Sequence, residues 1–310
     1  MSLPPKLWFQ WRRLKKVFFD AQESAPASAV RMCPHCRALI DRDARMCPLC
    51  GEATGPARAR GSSSTPGRIM GVIPIPTTAS SVMIVANLAL YAISWYMTQN
   101  SVAAQMNGAP PMGGIDQIVL LRLGAKAPYI LVGQWWRLVT AMFLHAGLFH
   151  IGMNMWCLMD LGPEVESLFC TTKFTVFYLV TGVAGFILST WLSPLGMSVG
   201  ASGAIMGLIG ILIGASYHHG HMGKAYRSQL WKWVIYIALI GVFGRFFAMG
   251  LDNAAHFGGL VSGLALGYFI PEGEPTTRPS ENLWNMLAVL SVLIIGASFV
   301  LMALQLGAPL

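Results

Sequence analysis

Gly200-Ala201-Ser202-Gly203 heads an apolar run that continues to about Ser216. A hydroxyl flanked by glycines is an unusual opening for a hydrophobic segment, because polar groups in hydrocarbon are costly and are retained for packing or chemistry. Downstream, Gly203, Gly207, Gly210 and Gly214 recur at spacings of four, three and four, which predicts a bare stripe along one helical face. A second stripe, Gly259, Gly263 and Gly267, lies in the run from Ala254 to Ile270, with His256 three residues before its first glycine. Two helices with glycine faces can pack backbone to backbone. If these two do so, Ser202 and His256 meet near one end of the pair.

Composition sets the class. Only 11% of the 310 residues are charged and the mean hydropathy is +0.56, far from the roughly 25% charged of a soluble domain. The expectation is an all-α polytopic membrane protein. The formal charge of +8 is concentrated in residues 1–70 and 218–232, where it reads as cytoplasmic flanks facing anionic lipid. No nucleic-acid partner is expected, since the basic tail lacks a reading module. No continuous apolar core precedes position 80, so no secretory signal is expected.

Seven apolar spans are expected, at 81–98, 147–169, 173–192, 199–217, 230–249, 253–270 and 283–306. The connection 99–146 is moderately apolar and ends near Trp135, Trp136 and Arg137, which suggests short interfacial helices. With the N-terminus cytoplasmic, Lys224, Arg227 and Lys232 also fall inside. The 271–282 connection, with three acidic residues and one arginine, gives this orientation no support. An odd number of spans puts the C-terminus outside. His145 and the Ser202 end of the fourth span then share the outer side, and the expected location is integral to a prokaryotic cell (inner) membrane.

Before the spans, residues 1–30 form a basic, aromatic leader and linker, read either as a surface helix or as a disordered segment. Residues 31–52 hold Cys33-x-x-Cys36 and Cys47-x-x-Cys50-Gly51. Four thiolates at this spacing suit a tetrahedral structural Zn2+, and the glycine lets the second turn close. Disulfides or a redox pair are the alternatives, and a cytoplasmic setting disfavours disulfides. A segment this small would take its folding energy from the metal. It resembles a short zinc ribbon, a module that binds partners, so a cytosolic protein partner is expected. Residues 53–79 are a linker rich in Gly, Ser, Pro and Arg.

His150 and Asn154 are four apart at the head of the second span and project from one face. They could donate to a developing oxyanion or serve as interhelical hydrogen-bonding glue. Taken alone, Ser202 reads as a small packing residue, and His256 as a buried hydrogen-bonding histidine or a metal ligand. It is not the Gly-x-Ser-x-Gly elbow of soluble hydrolases, because position 204 is alanine. Together, a serine and a base carried on matching glycine stripes are a candidate catalytic pair. Cys157 and Cys170 read as packing residues.

Gly200-Ala-Ser202-Gly203, His150-x-x-x-Asn154, Ala255-His256-x-x-Gly259-x-x-x-Gly263 and Trp136-Arg137 occur together. In combination they resemble the rhomboid intramembrane serine proteases over about residues 80–270. The resemblance implies a six-helix core, to which residues 271–310 add a linker and a seventh transmembrane helix. It implies Ser202 as nucleophile and His256 as general base, without an aspartate. His150, Asn154 and the Ser202 N–H would form the oxyanion hole, and no cofactor is needed for catalysis. Trp136-Arg137 would belong to a membrane-inserted loop, and Glu166 would brace the second helix. The substrates would be single-span or polytopic membrane proteins cut near the outer face, at helices that unwind locally. Met206 departs from the pattern, standing where an aromatic often packs on the histidine. Two other readings compete: an inactive rhomboid-like scaffold, and a metal-dependent enzyme or transporter built on His145, His150 and His256. The second lacks an adjoining carboxylate or a His-Glu-x-x-His motif.

Overall fold

The computed structural model describes residues 30–32, 39–41, 46–51, 68–69, 73–74, 78–102, 106, 110, 113–243 and 250–307; the expected leader, Cys33 and Cys36 lie outside them. The chain divides into two compact units, Met1–Thr65 and Pro66–Leu310.

In the first unit, strands β1 (Val30–Met32) and β2 (Leu39–Asp41) pair antiparallel, with Val30 opposite Asp41 and Met32 opposite Leu39. Cys47 is buried and Cys50 exposed on a turn that the Gly51 N–H closes by donating to Cys47 O at 2.9 Å. Gly51 has φ 70°, a left-handed conformation that glycine adopts without a Cβ clash.

The second unit begins with the short antiparallel pair β3 (Arg68–Ile69) and β4 (Ile73–Pro74). The helices that follow are α1 (Thr78–Gln99), α2 (Gln117–Arg122), α3 (Arg137–Thr140), α4 (Leu148–Phe169), α5 (Thr171–Leu192), α6 (Ser202–Ser216), α7 (Gly220–Phe243), α8 (Asn253–Phe269) and α9 (Arg278–Gln305).

By length and apolarity, α1, α5 and α9 can cross a membrane. Arg137–Phe143 and α4, bent by 92° at their break, make a fourth span if read as one. On length and apolarity alone that is three or four among the described residues, while a helix of 15 residues or more stands at each of the seven expected spans: α1, α4, α5, α6, α7, α8 and α9. Two of the remaining helices are short. With 15 residues, α6 is about 22 Å long, and the 17 residues of α8 reach about 25 Å, both short of the roughly 30 Å hydrocarbon core. The expected span at 230–249 begins earlier as a helix, at Gly220, so Lys224, Arg227 and Lys232 fall inside α7; residues 244–249 lie outside the described set.

Helix α6 can be short because it does not face lipid: every residue from Gly203 to Ser216 is buried. Its closest neighbour is α8, and glycine is the reason. A Cβ on Gly259 would strike the carbonyl oxygen of Gly203, one on Gly263 that of Gly207, and one on Gly267 that of Ile211. In return, Gly210 and Gly214 lie against the α8 backbone at Leu260–Leu264 and Leu264–Tyr268. The contacts rise in step along both helices, so α6 and α8 run parallel. Gly207 departs from the expected stripe, its vacant Cβ position pointing at Thr181 of α5. Helix α5 runs antiparallel to the pair, with Gly185 against the carbonyl of Ala255 and Gly258 against Ala184 and Gly185.

Around this centre, Phe143 packs edge-on to Phe299 of α9 at 5.5 Å, and Phe177 to Trp284 at 5.9 Å, so the last helix is built into the unit. At the end of the bundle opposite the α6 N-terminus, Glu166 of α4 accepts from the N–H groups of Ala79 and Ser80 at 3.1 and 3.2 Å and from Thr171 Oγ1 at 2.7 Å. It caps the first turn of α1, whose leading N–H groups have no partner within their own helix. Lys173 Nζ donates to Pro271 O and Gly273 O at 2.7 and 2.8 Å, tying α5 to the segment after α8.

Gly263→Ala should force the α6 and α8 backbones apart at an overpacking cost of about 1–3 kcal/mol. The midpoint of thermal aggregation in detergent should fall by several degrees. Gly296→Ala in α9, which faces open space, should leave it unchanged. Equal stability of the two variants would mean that the backbones are not in contact.

Candidate active site

Helices α4, α6 and α8 all begin at the same end of the bundle, and each carries one expected site residue in its first turn: His150, Ser202 and His256. Three helix N-termini converging there supply unpaired N–H groups and a positive potential suited to an anion.

Ser202 Oγ and His256 Nε2 are 2.8 Å apart, so the parallel packing does bring the two together. His256 is buried and Ser202 half-buried. With Nε2 accepting from the hydroxyl, the imidazole proton belongs on Nδ1, which has no hydrogen-bond partner among the described residues.

His150 is oriented by its own helix start. Its Nδ1 accepts from the Ala146 N–H at 3.4 Å, which leaves the proton on Nε2. That nitrogen faces Gly200, where an added Cβ would lie 2.8 Å from it. Gly200 also has φ 130°, so a side chain is excluded there by both space and backbone. Its N–H donates to Ala141 O at 2.9 Å. Asn154 is buried, and its Nδ2 donates to His150 O at 2.8 Å, leaving one of two amide hydrogens. The His150 Nε2–H, that amide hydrogen and the N–H of Ser202 are the donors at this end. His145 is buried with its ring edge-on to His150 at 5.0 Å, and Met206 is buried one turn into α6.

A folded connection holds the site from the flank. Between α1 and α3, residues 113–136 form α2 and a 3-10 turn at Pro128–Val132 over a small core that includes Leu120, Leu123, Ala125 and Trp136. Arg137 is buried between the Trp136 and Tyr129 rings, 4.8 Å from each centroid, and donates to Leu121 O and Ala125 O at 2.7 and 3.1 Å.

Sequence reasoning did not find Lys126. This lysine is 1% exposed, pairs by backbone with Ser198 in both directions at 3.0 Å, and donates from Nζ to Ser193 O and Gly196 O at 2.5 and 2.9 Å. It thereby fastens the loop that leads into Ser202. Burial pushes its ammonium below the usual lysine range, and Asp252 partly offsets that shift. Asp252 was also missed, although an aspartate directly before an apolar helical run is an N-cap signal. Its Oδ1 accepts from the Ala255 N–H at 3.0 Å and its Oδ2 from Ser189 Oγ at 2.5 Å.

A protein-family model described as Rhomboid domain matches residues 132–272, a range that contains His150, Asn154, Ser202 and His256. The chain is 32% identical over 229 residues to RHOMBOID-like protein 1 of Arabidopsis thaliana, covering 66% of this chain and 54% of that protein. It is 31% identical over 186 residues to Rhomboid-like protease 2 of Toxoplasma gondii, covering 58% and 65% respectively. To Rhomboid protease GluP of Bacillus subtilis (strain 168) it is 34% identical over 152 residues, covering 49% and 29%. The chain thus spans less than two thirds of each of these relatives.

Proposed function

We propose that this chain is a rhomboid-type intramembrane serine endopeptidase. The observation that carries the reading is the 2.8 Å contact between Ser202 Oγ and His256 Nε2 at the convergence of three helix N-termini. The matched family and the two relatives whose names include "protease" support it.

In this reading His256 Nε2 takes the Ser202 proton as Oγ attacks a peptide carbonyl. Negative charge develops on the carbonyl oxygen and is met by the Ser202 N–H, the His150 Nε2–H and Asn154. The imidazolium then protonates the departing amine, and the acyl group remains on Ser202 until water, activated by His256, releases it. An intact helix hides its carbonyls in its own hydrogen bonds. The substrate is therefore a membrane protein whose transmembrane segment unwinds where it reaches the site. Residues with poor helix propensity near the cut favour this.

The N-terminus is read as cytoplasmic, which places cleavage near the outer face. Relatives from a plant, Toxoplasma and Bacillus do not single out the prokaryotic cell membrane expected from sequence. In the first unit, we read Cys33, Cys36, Cys47 and Cys50 as holding one structural zinc. The Cys47–Gly51 turn supports this for the second pair. Metal analysis of the purified chain should find one zinc per chain, absent in a Cys47→Ser, Cys50→Ser variant. A metal-free wild type retaining its fold would remove the zinc.

In liposomes, the purified chain should cleave a single-span substrate, and Ser202→Ala should abolish cleavage. Asn154→Ala should lower kcat by about 10²-fold without changing thermal stability. Cleavage that persists in Ser202→Ala would refute the assignment.

A further inference from the structure

At the head of α8 a carboxylate stands one turn before His256, and it is held from three directions. Asp252 Oδ1 caps the helix through the Ala255 N–H, Oδ2 accepts from the buried Ser189 of α5, and the Asp252 carbonyl accepts the His256 N–H at 3.0 Å. Helix α5 thus fixes the turn that carries the base. Among the described residues Asp252 makes no ion pair. The nearby buried cation, Lys126, spends its ammonium on two loop carbonyls. Other ionisable groups around this end are His150 and His145 at the start of α4, Asp116 and Tyr91 on the segments beside it, and Arg137, which donates to Ala125 O next to Lys126. Asp252 thus places a carboxylate at the N-cap of the helix that carries the base, one turn before it.

A base that must become a cation during attack gains from a fixed negative charge close by, even without direct contact. We propose that Asp252 is a positioning residue for this site: tethered by Ser189, its charge stabilises the imidazolium that forms on His256 as Ser202 attacks. The inference rests on the serine-protease reading. It adds to that reading an acidic group acting through the base.

The alternative role is capping alone, and Asp252→Asn separates the two. Asparagine caps a helix about as well as aspartate and can still accept from Ser189, but it carries no charge. The test is the rate at which a fluorophosphonate labels Ser202 in the purified full chain, measured across pH. Removing a neighbouring negative charge makes an imidazole a weaker base. The base works only when neutral, so the acid limb of the Asp252→Asn profile should move to lower pH, by roughly half a unit or more. Its plateau should fall severalfold, to about 10-fold, with an unchanged melting midpoint. Ser189→Ala keeps the charge, so its acid limb should stay with that of the wild type. Superimposable wild-type and Asp252→Asn profiles would reduce Asp252 to a cap while leaving the protease reading intact. A wild type that does not label at Ser202 would overturn both.

Discussion

Everything at the site depends on two backbones being in contact. Helices α6 and α8 approach so closely that three glycines of α8 lie on three carbonyl oxygens of α6. In lipid there is no hydrophobic gain from bringing helices together, so close packing and polar contacts must hold the pair. The same approach sets the register. With Gly259 on Gly203, the residue at the head of α6 and the one three positions before Gly259 are brought into hydrogen-bonding distance. A larger side chain at any of these positions would move the serine from the histidine before it changed either residue.

The surrounding structure serves that contact from both ends. At the site end, Lys126, the Ser198 backbone pairing and the Gly200 N–H hold the loop entering α6. Asp252 and Ser189 hold the turn entering α8. At the opposite end, Glu166 and Lys173 tie the starts of α1 and α5 to their neighbours. Most of these bonds use a backbone carbonyl or N–H group, and several of those stand at helix termini, where no partner exists within the helix.

Much of this was legible in the amino-acid sequence. The glycine stripes, Ser202, His256 and the His150/Asn154 spacing are local patterns with helical period, and the structure brings those residues to one end of the bundle. Trp136-Arg137 fell within a folded connection of short helices, as its apolar character suggested. Each expected span carries a helix, but the helix lengths were not legible, because hydropathy cannot distinguish a helix that faces lipid from one, like α6, that is enclosed by protein and can be short. The orientation of Gly207 toward Thr181 depends on a third helix. Lys126 and Ser189 were invisible for a related reason. Their partners lie 67 and 63 residues away, and a lysine in a loop or a serine in an apolar helix carries no local sign of such a bond.

Fluorophosphonate labelling of Ser202, mapped by mass spectrometry in the wild type and in Gly259→Ala, reads out whether the α6–α8 contact makes the serine reactive. Both proteins keep the serine and the histidine, and only the approach of their helices differs. Helix packing that creates the reactive pair predicts rapid labelling at Ser202 in the wild type and little or none in Gly259→Ala. Equal labelling of the two proteins would contradict it, because the reactivity of Ser202 would then not depend on the contact between α6 and α8.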